Sequence, residues 1–380
     1  MIKKQICARC VCDDSIPGIT FDNNGICSLC KNYDLIEHEF PGNEITYKKF
    51  QQIVDNIKNN QNKAKYDCLI GVSGGTDSIY TLYLARKYGL NPLAIHVDDG
   101  SDTEISVHNV QTAVKKLNVD LYTVKIDESE LSDLELAFFR ASIPDVETPP
   151  DMAITASLYR CAVQFGIKYI FIGNCFKTEG KMPPGWSYGD GKYLTDIHNR
   201  FGHVRLKSFP NLMLSDYLYY FLIKRIQIVR PLYYLSYIKS DVKKILEKEL
   251  GWIDYGIGHH ESRYCRFVQG YFLPKKFGID KRKIHFSALI RSNQMSRQEA
   301  LIKLGLPACS DEMVKEDIQY LCTNFGINQD EFEEIINSKP RSQAEFDSYY
   351  SLVCKLKPLI EIAYKLHLFP TKIYGSYDRK

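Results

Sequence analysis

The sequence has little excess charge and no long apolar run, and these absences exclude several classes of protein. The net charge of the 380 residues is +3, far from the strongly basic balance of a dedicated nucleic-acid-binding protein. The start, MIKKQICARCVC, does not have the apolar stretch of a signal peptide, and the most apolar segment, residues 217–223, is closed by Asp216 and Lys224. We therefore expect a cytoplasmic protein without membrane contact, and we do not expect nucleic acid as its partner.

Cysteine, by contrast, is plentiful, with twelve copies. In a cytoplasmic protein these residues are expected to be reduced thiols or metal ligands and not disulfides. Two C-x-x-C pairs, Cys7 with Cys10 and Cys27 with Cys30, are separated by sixteen residues, which is the spacing of a four-cysteine zinc ribbon. Four thiolates leave no open position for water, so we predict a structural Zn²⁺, with unpaired thiols in a loosely ordered leader as the alternative. Cys12 is spare in this interpretation.

Strand and helix patterns alternate through the middle of the chain. Buried strands are predicted over residues 66–72, 91–100, 119–126 and 167–174, with helical patterns over 79–89, 103–118 and 149–166 between them. This repetition predicts an α/β fold with a doubly wound parallel sheet. We predict three regions: a zinc-ribbon segment over residues 1–45, the α/β domain over 46–230, and a mainly helical substrate-binding region over 231–380.

The most distinctive loop follows the first predicted strand, and we call it the 73–78 loop. It consists of Ser73, Gly74, Gly75, Thr76, Asp77 and Ser78. The glycines allow a close approach of the backbone to a phosphate, and the next helix would present free N–H groups to it. The aspartate suits this position if Mg²⁺ lies between it and the phosphate. No G-x-x-x-x-G-K-[ST] string occurs, so this is not a Walker loop, and the alternative is an Asx-type turn with a helix cap.

Two further loops end predicted strands at the edge where ligands of such sheets bind. Val97 and Asp98 end the second strand, and Gly173 and Asn174 end the fourth. A long loop rich in Gly and Pro follows over residues 176–190. Loops of this length in compact domains are usually lids or binding loops, so Glu179 and Trp186 are candidate substrate contacts. Core packing is the commoner fate of such a tryptophan, and a solvated turn is the alternative for Asp98.

The second half contains a dense polar cluster between residues 256 and 305, with interleaved aromatics that indicate a folded element. Its basic residues suit an anionic partner, whereas exposed or buried charges of purely structural role are the alternative. The candidate residues for catalysis, substrate binding or phosphate contact are His259, Glu261, Arg263, Lys276, Lys281 and Arg282.

Several of these motifs together resemble known families. The S-G-G-x-D-S string of the 73–78 loop resembles the PP-loop of the ATP pyrophosphatases, whose fold is adenine nucleotide alpha hydrolase-like. The C-x-R-C-V-x-D start, "ASLYR", "GN-x-x-x-TEG", the H-x-E-S cluster, "YFLPKKFGIDKRK" and "RQEAL" resemble the N-acetyl sugar amidotransferase family (PseA/WbpG-like). The resemblance runs from Cys7 to about Gly305. Thr76 departs from it, because lysine is common there in the family, and no motif is recognised after Leu306.

The resemblance implies a reaction in the biosynthesis of surface glycans, namely lipopolysaccharide and flagellin glycans. The sugars concerned would include derivatives of pseudaminic and legionaminic acid. An N-acetyl group of a sugar, nucleotide-linked or free, would become an acetamidino group. ATP with Mg²⁺ at Asp77 would adenylate the amide oxygen, and ammonia would displace AMP. The loop residues Ser73 to Ser78 with Val97, Asp98, Gly173 and Asn174 would bind ATP, and Asp77, Ser78, His259 and Glu261 are the catalytic candidates.

The sequence has no glutaminase motif, and this determines which nitrogen donor we expect. Glutaminases need an activated cysteine in a G-x-C-x-G elbow or at the mature N-terminus, and neither pattern occurs here. We therefore expect a separate glutaminase partner that delivers ammonia. An alternative is a PP-loop enzyme that modifies tRNA by thiolation or lysidine formation, for which Cys161 and Cys175 are available. A non-catalytic scaffold is the third possibility, but the intact 73–78 loop argues against it.

Overall fold

The computed structural model, which describes residues 5–59, 65–183, 185–256 and 262–365, has a five-stranded parallel sheet. The strand order is β3-β2-β1-β4-β5, and every neighbouring pair is parallel. The strands are β1 Cys68–Gly71, β2 Pro92–Asp98, β3 Asp120–Lys125, β4 Tyr169–Phe171 and β5 Gln227–Val229. The doubly wound parallel sheet predicted from the sequence is confirmed. The fifth strand was not predicted, because its three residues are too short to show a pattern.

Helices cover both faces of this sheet and form most of the remaining chain. Within the described residues they are α1 Ser28–Glu39, α2 Glu44–Asn59, α3 Thr76–Lys87, α4 Glu104–Leu117, α5 Glu128–Ala141, α6 Thr148–Gln164, α7 Gly191–Phe201, α8 Leu214–Leu218, α9 Pro231–Tyr234, α10 Lys239–Leu250, α11 Arg263–Phe267, α12 Arg282–Arg291, α13 Arg297–Leu304, α14 Asp311–Phe325, α15 Gln329–Asn337 and α16 Tyr350–Lys365. Two π-helical segments, Tyr219–Ile223 and Val268–Phe277, and a 3₁₀ turn, Gln343–Glu345, complete the list. The C-terminal region is therefore helical, as predicted, and no described helix is both long and apolar enough to cross a membrane.

Side chains at the helix starts explain several boundaries. Thr103 caps α4 by accepting a hydrogen bond from the amide of Ser106, and Asp127 caps α5 in the same way. Helix α10, by contrast, has Ile238 at its N-cap position without a side-chain cap, and Ser240 and Asp241 lie in its first turn.

Alternate residues of β1 face two separate cores. Leu69 contributes to a core with α5, α6, α7 and the C-terminal helices, which also includes the N-terminal cysteines. Cys68 and Ile70 contribute to the opposite core with α3, α4 and α10. Because α10 packs against α3 and α4, residues up to Leu250 belong to the core on this face of the sheet. The predicted domain boundaries at residues 45 and 230 stay predictions.

The path of the chain creates a crevice at one edge of the sheet. From the central β1 it runs outward through β2 and β3, then returns to the other side of β1 for β4 and β5. In open α/β sheets, ligands bind at such a switch point, beyond the carboxyl ends of the strands. The loops that meet there follow β1 and β4. They are the 73–78 loop and the segment that begins at Gly173.

Candidate active site

The 73–78 loop forms a tight turn that continues directly into α3. The hydroxyl of Ser78 accepts a hydrogen bond from the amide of Ser73 at 3.2 Å and lies 3.2 Å from the carbonyl oxygen of Gly75. The side chain of Ser73 lies 3.3 Å from the Ser78 hydroxyl and 3.4 Å from the Gly75 amide. Gly75 is the N-cap of α3 and provides no side-chain cap, so the first amides of the helix stay available for an anion.

Gly74 packs closely against the backbone of a neighbouring helix in this turn. Its φ of +79° lies in the left-handed region, and a Cβ at this position would lie 2.4 Å from the carbonyl oxygen of Ser106. The indole N–H of Trp252 donates to the Gly74 carbonyl at 2.8 Å, and the amide of Asn109 donates to it at 3.3 Å. The sequence alone did not identify Trp252 or Asn109, which come from distant segments.

Asp77 lies at the point where the loops after β1 and β4 meet. A Cβ on Gly173 would lie 2.8 Å from the carbonyl carbon and oxygen of Asp77, so only glycine allows this approach. The buried phenol of Tyr237 donates a hydrogen bond to the Asp77 carboxylate. Asn174 donates through its side-chain amide to the carboxylate of Glu179 at 3.2 Å.

Glu179 is close enough to Asp77 for the two carboxylates to repel each other. Burial raises the pKa of Glu179 to about 7, and the charge of Asp77 adds to this shift. A divalent cation between two carboxylates removes such repulsion, and Mg²⁺ prefers oxygen ligands of this kind. Asp77 and Glu179 therefore fit a Mg²⁺ ion, although Glu179 was predicted only as a substrate contact.

The loop after β2 is braced from two sides. The two ring nitrogens of His96 lie 3.1 Å from the Val72 carbonyl oxygen and 3.1 Å from the Asp102 carboxylate, and the hydrogen bond with Asp102 raises the pKa of His96. The carboxylate of Asp98 accepts a hydrogen bond from the Gly100 amide at 3.1 Å. A cavity of about 360 Å³ lies beside it, lined by His96, Asp98, Asp102 and residues of α4 and β3.

A second polar group, which we call the Glu147 cluster, joins α6 to the C-terminal region. It consists of Glu147, Asp151, Gln269 and Lys281. The ammonium of Lys281 forms a buried ion pair with Glu147, which also accepts from Gln269 at 2.7 Å. The side chain of Asp151 is exposed to solvent, but protein atoms surround much of its carboxyl group. This desolvation raises its pKa to about 7, the charge of Glu147 adds to the shift, and the charge of Lys281 opposes it.

The position of α6 directs this cluster toward the crevice. The helix ends just before β4 begins, so its first turn, which contains Asp151, lies at the carboxyl edge of the sheet. Leu158, two turns further along, packs against β1, since a Cβ on Gly71 would lie 3.2 Å from its side chain. The Glu147 cluster thus lies on the face of the sheet opposite to α3.

Several residues proposed as substrate contacts have other partners. Trp186 is 1% exposed and belongs to the core, which is the alternative given for it above, so its ring has no open face for a substrate. The ammonium of Lys276 donates to the carbonyls of Ile335, Ile336 and Ser338 at the end of α15. Arg282 is occupied by Asp280 and by the carbonyl of Leu306. Their positions favour structural roles.

The other candidates differ in position. Arg263 has an exposed side chain that stacks on Tyr320, and its amide donates to Ser101 at 3.0 Å beside the loop after β2. His259 and Glu261 lie outside the described residues. The loop over residues 176–190 is not an open lid in its first part, since Phe176, Lys177 and Thr178 are buried.

The four N-terminal cysteines come together as predicted. The Sγ atoms of Cys7, Cys10, Cys27 and Cys30 lie within 4.8 Å of one another, and all four residues are buried. The Sγ–Sγ distance is 3.9 Å for Cys7 and Cys30 and 3.7 Å for Cys10 and Cys27. Four thiolates about 2.3 Å from one tetrahedral ion would lie about 3.8 Å apart. The donor set therefore fits a single metal ion.

Cys12 and Arg291 lie next to this group. The thiol of Cys12 contacts the hydroxyl of Ser287 at 3.2 Å, and the sequence correctly left it outside the ligand set. The guanidinium of Arg291 donates to the sulfurs of Cys30 at 3.2 Å and Cys10 at 3.4 Å. A buried cation among sulfurs suits a metal tetrathiolate, which carries a net negative charge. No pattern in the sequence pointed to Arg291.

Comparison with known proteins identifies the C-terminal region. Residues 261–357 match the family model described as "LPS biosynthesis protein WbpG-like, C-terminal domain". We call these residues the WbpG-like domain, after the model that they match. The match confirms the resemblance that the motifs of the second half suggested. The WbpG-like domain contains α11 to α15, and it supplies Gln269 and Lys281 to the Glu147 cluster and Arg291 to the cysteines.

Other similarities extend over the rest of the chain. An uncharacterized protein of Methanocaldococcus jannaschii is 24% identical over 306 residues, which cover 78% of this chain and 92% of that protein. The tRNA(Ile)-lysidine synthase of Clostridium tetani is 35% identical over 81 residues, or 20% of this chain and 17% of that enzyme. Among solved structures, NMN synthetase from Francisella tularensis is 17% identical with a TM-score of 0.35, covering 74% of this chain and 96% of that one.

Proposed function

We propose that this protein is an ATP-dependent, AMP-forming amidotransferase that converts an N-acetyl group of a bacterial surface sugar into an acetamidino group. The observation that carries the proposal is the meeting of Asp77 and Glu179 beside the free amides of α3, next to a WbpG-like domain. The 73–78 loop provides donors for phosphates and the two carboxylates fit Mg²⁺. The WbpG-like domain is the reason for choosing a sugar as acceptor.

The reaction has two steps. The acetamido oxygen attacks the α-phosphorus of ATP, and the bond to the β-phosphate breaks to release pyrophosphate. Ammonia then adds to the activated carbon, loses a proton, and AMP leaves with the former amide oxygen, so that an amidine remains. An amide carbon is a poor electrophile, so the amide oxygen must be activated. A Mg²⁺ ion held by Asp77 and Glu179 would supply positive charge beside the phosphates, together with the amides of α3.

The Glu147 cluster is our candidate for the acceptor site. Its exposed member, Asp151, offers a carboxylate that can accept hydrogen bonds from sugar hydroxyls, beside the buried ion pair of Glu147 and Lys281. Arg263, beside the loop after β2, is available for the charge of a nucleotide carrier or a sugar acid. Val97 and Asp98 remain our candidates for contacts to the adenosine.

The proposal also includes a structural metal ion and a partner protein. Zn²⁺ suits the four cysteines as a structural ion, because all four positions are thiolates, and reduced thiols favour a cytoplasmic location. A separate glutaminase would provide ammonia, since burial keeps the thiols of Cys161 and Cys175 protonated, and a thiolate is the reactive form. Burial raises the pKa of Cys175 to about 12 and that of Cys161 to about 11.

The test is a measurement of pyrophosphate and AMP formation by the purified, metal-loaded protein with Mg·ATP and ammonium. A panel of N-acetylated nucleotide sugars and nonulosonic acids would serve as acceptors. We expect equimolar pyrophosphate, AMP and amidine with one acceptor, and none with Asp77→Asn. Turnover with glutamine and no second protein would contradict the separate glutaminase.

The similarity to tRNA(Ile)-lysidine synthase over 81 residues favours a second candidate, a tRNA-modifying enzyme. Such an enzyme also adenylates a carbonyl, so the same ATP site would serve it. AMP release that tRNA stimulates, with binding that weakens steeply as salt rises, would support this candidate over the sugar. The buried, high-pKa thiols of Cys161 and Cys175 argue against the thiolating variant.

A further inference from the structure

Four consecutive residues, 291–294, connect the cysteine site with the crevice, and we call them the 291–294 bridge. At one end, the buried guanidinium of Arg291 contacts the sulfurs of Cys10 and Cys30 at 3.4 and 3.2 Å. Ser287, one turn earlier in α12, contacts the amide of Val11 through its hydroxyl at 3.2 Å. The end of α12 is therefore fixed to the cysteine segment by contacts that depend on how the sulfurs are arranged.

The other end of the bridge contacts the loop that carries Glu179 and the segment of Tyr237, whose phenol contacts Asp77. The hydroxyl of Ser292 donates to the carbonyl of Lys177 at 2.8 Å, two residues before Glu179. The side chain of Gln294 donates to the carbonyl of Tyr237 at 3.1 Å and accepts from the amide of Lys239 at 2.8 Å. Tyr237 in turn donates to Asp77. One short segment thus restrains the neighbours of both candidate Mg²⁺ ligands.

We propose that the 291–294 bridge makes the nucleotide affinity of the 73–78 loop depend on the occupancy of the four-cysteine site, with Arg291 and Gln294 as positioning residues. An ion bound by the four sulfurs fixes their tetrahedral arrangement and leaves a net negative charge that Arg291 balances. Loss of the ion lets the sulfurs take up protons and move, so that Arg291 loses the fixed negative charge that it balances. The bridge then no longer holds Tyr237 and the loop of Glu179 in place.

The coupling must act in both directions. If the bound ion raises the affinity for nucleotide, bound nucleotide raises the affinity for the ion by the same free energy. This inference rests on the proposed ATP binding but not on the identity of the acceptor. It differs from the expectation that a structural ion affects only its own lobe.

The experiment measures the affinity of α,β-methylene-ATP with Mg²⁺ by calorimetry, in metal-loaded and chelator-treated full-length protein, with circular dichroism as the check of folding. For the wild type we expect about tenfold weaker binding after metal removal. In Gln294→Ala the affinity should be low in both states, although the metal content is unchanged. Gln319→Ala, an exposed glutamine of α14, is the matched control and should behave as wild type.

Two variants of Arg291 test whether the coupling depends on the positive charge of its side chain. Arg291→Lys keeps the cation and should retain part of the metal dependence, whereas Arg291→Met should lose it. If the metal-depleted protein unfolds, the reverse measurement applies: nucleotide should shift the equilibrium distribution of metal between protein and chelator toward the protein in wild type and not in Gln294→Ala.

The outcomes are distinguishable. Equal nucleotide affinity of loaded and depleted wild type, or full metal dependence in Gln294→Ala, would overturn the coupling while leaving the proposed function intact. In the reverse measurement, a metal distribution that nucleotide does not change in wild type would overturn it too. A metal-loaded wild type that binds no nucleotide would instead contradict the proposed function.

Discussion

The phenol of Tyr237 donates a hydrogen bond to the carboxylate of Asp77, across 160 residues of sequence. Tyr237 is 1% exposed, so this hydrogen bond does not compete with water. It fixes the orientation of an acidic side chain that the loop itself leaves free to rotate. An acid that must bind a cation beside phosphates gains from such restraint, because less conformational freedom is lost on binding.

Tyr237→Phe removes this donor and keeps the packing. Because a hydrogen bond to a charged group contributes about 1.5 kcal/mol, we expect roughly tenfold weaker binding of Mg·ATP. Calorimetric titration of the purified variant measures the change. Tyr234→Phe is the control, since Tyr234 packs against Phe40 and Phe50 in the core beside β4. Unchanged affinity in Tyr237→Phe would show that the phenol does not orient Asp77 for binding.

Gly173→Ala tests the contact between the two loops of the crevice. The added Cβ would lie 2.8 Å from the Asp77 carbonyl group, a backbone that cannot turn away, so one loop must shift. We expect more than tenfold weaker nucleotide binding with a loss of stability on the order of 1–3 kcal/mol. Gly305→Ala, at the end of α13 where the nearest atom would be 3.3 Å away, should change neither quantity. Nucleotide titration and urea denaturation provide the two measurements.

The metal content of cysteine variants distinguishes the metal ligands from the other cysteines. Cys10→Ser removes one of the four sulfurs, and we expect the purified protein to retain little metal and to lose the packing of its N-terminal segment. Cys12→Ser alters a thiol in the same surroundings that contacts Ser287, and it should keep one ion per chain. Elemental analysis gives the stoichiometry and its metal. Metal loss from both variants would place Cys12 among the ligands.

Asp145 should make stability depend on pH. Burial raises the pKa of this carboxyl to about 7, whereas hydrogen bonds from the Tyr188 amide, Tyr193 and Gln343 oppose the shift. The folded state therefore holds a proton that the unfolded state has released between about pH 4 and pH 7. The free energy of unfolding should fall as pH rises through this window, and stay level above it.

The change in slope isolates this residue. We expect Asp145→Asn to lower stability overall, since it loses one accepted hydrogen bond, but to flatten the decline with pH by on the order of 1 kcal/mol per pH unit. Urea denaturation at pH 5, 6, 7 and 8 measures both effects. Asp151 and Glu179, whose pKa values burial also raises, contribute in the same direction and remain as the residual slope. An unchanged slope would mean that Asp145 is ionised throughout.

The sequence determined the parts of this protein that depend on local pattern. The spacing of Cys7, Cys10, Cys27 and Cys30 predicted one metal site, because two C-x-x-C pairs place four sulfurs around one ion. The alternation of buried strands and amphipathic helices predicted the parallel sheet. The S-G-G-x-D-S string predicted that a strand would pass into a helix with exposed amides, because only small residues permit that turn.

The tertiary structure decided which distant residues support these features. Packing between distant segments gives roles to Tyr237, Trp252, Glu147 and Arg291. Each contacts a partner more than one hundred residues away in the sequence, and no periodicity reports such contacts. Packing also removed Trp186, Lys276 and Arg282 from the candidate binding residues, since burial and carbonyl partners occupy them. Residue type shows which chemistry a side chain can perform, and only the folded chain determines which partner it meets.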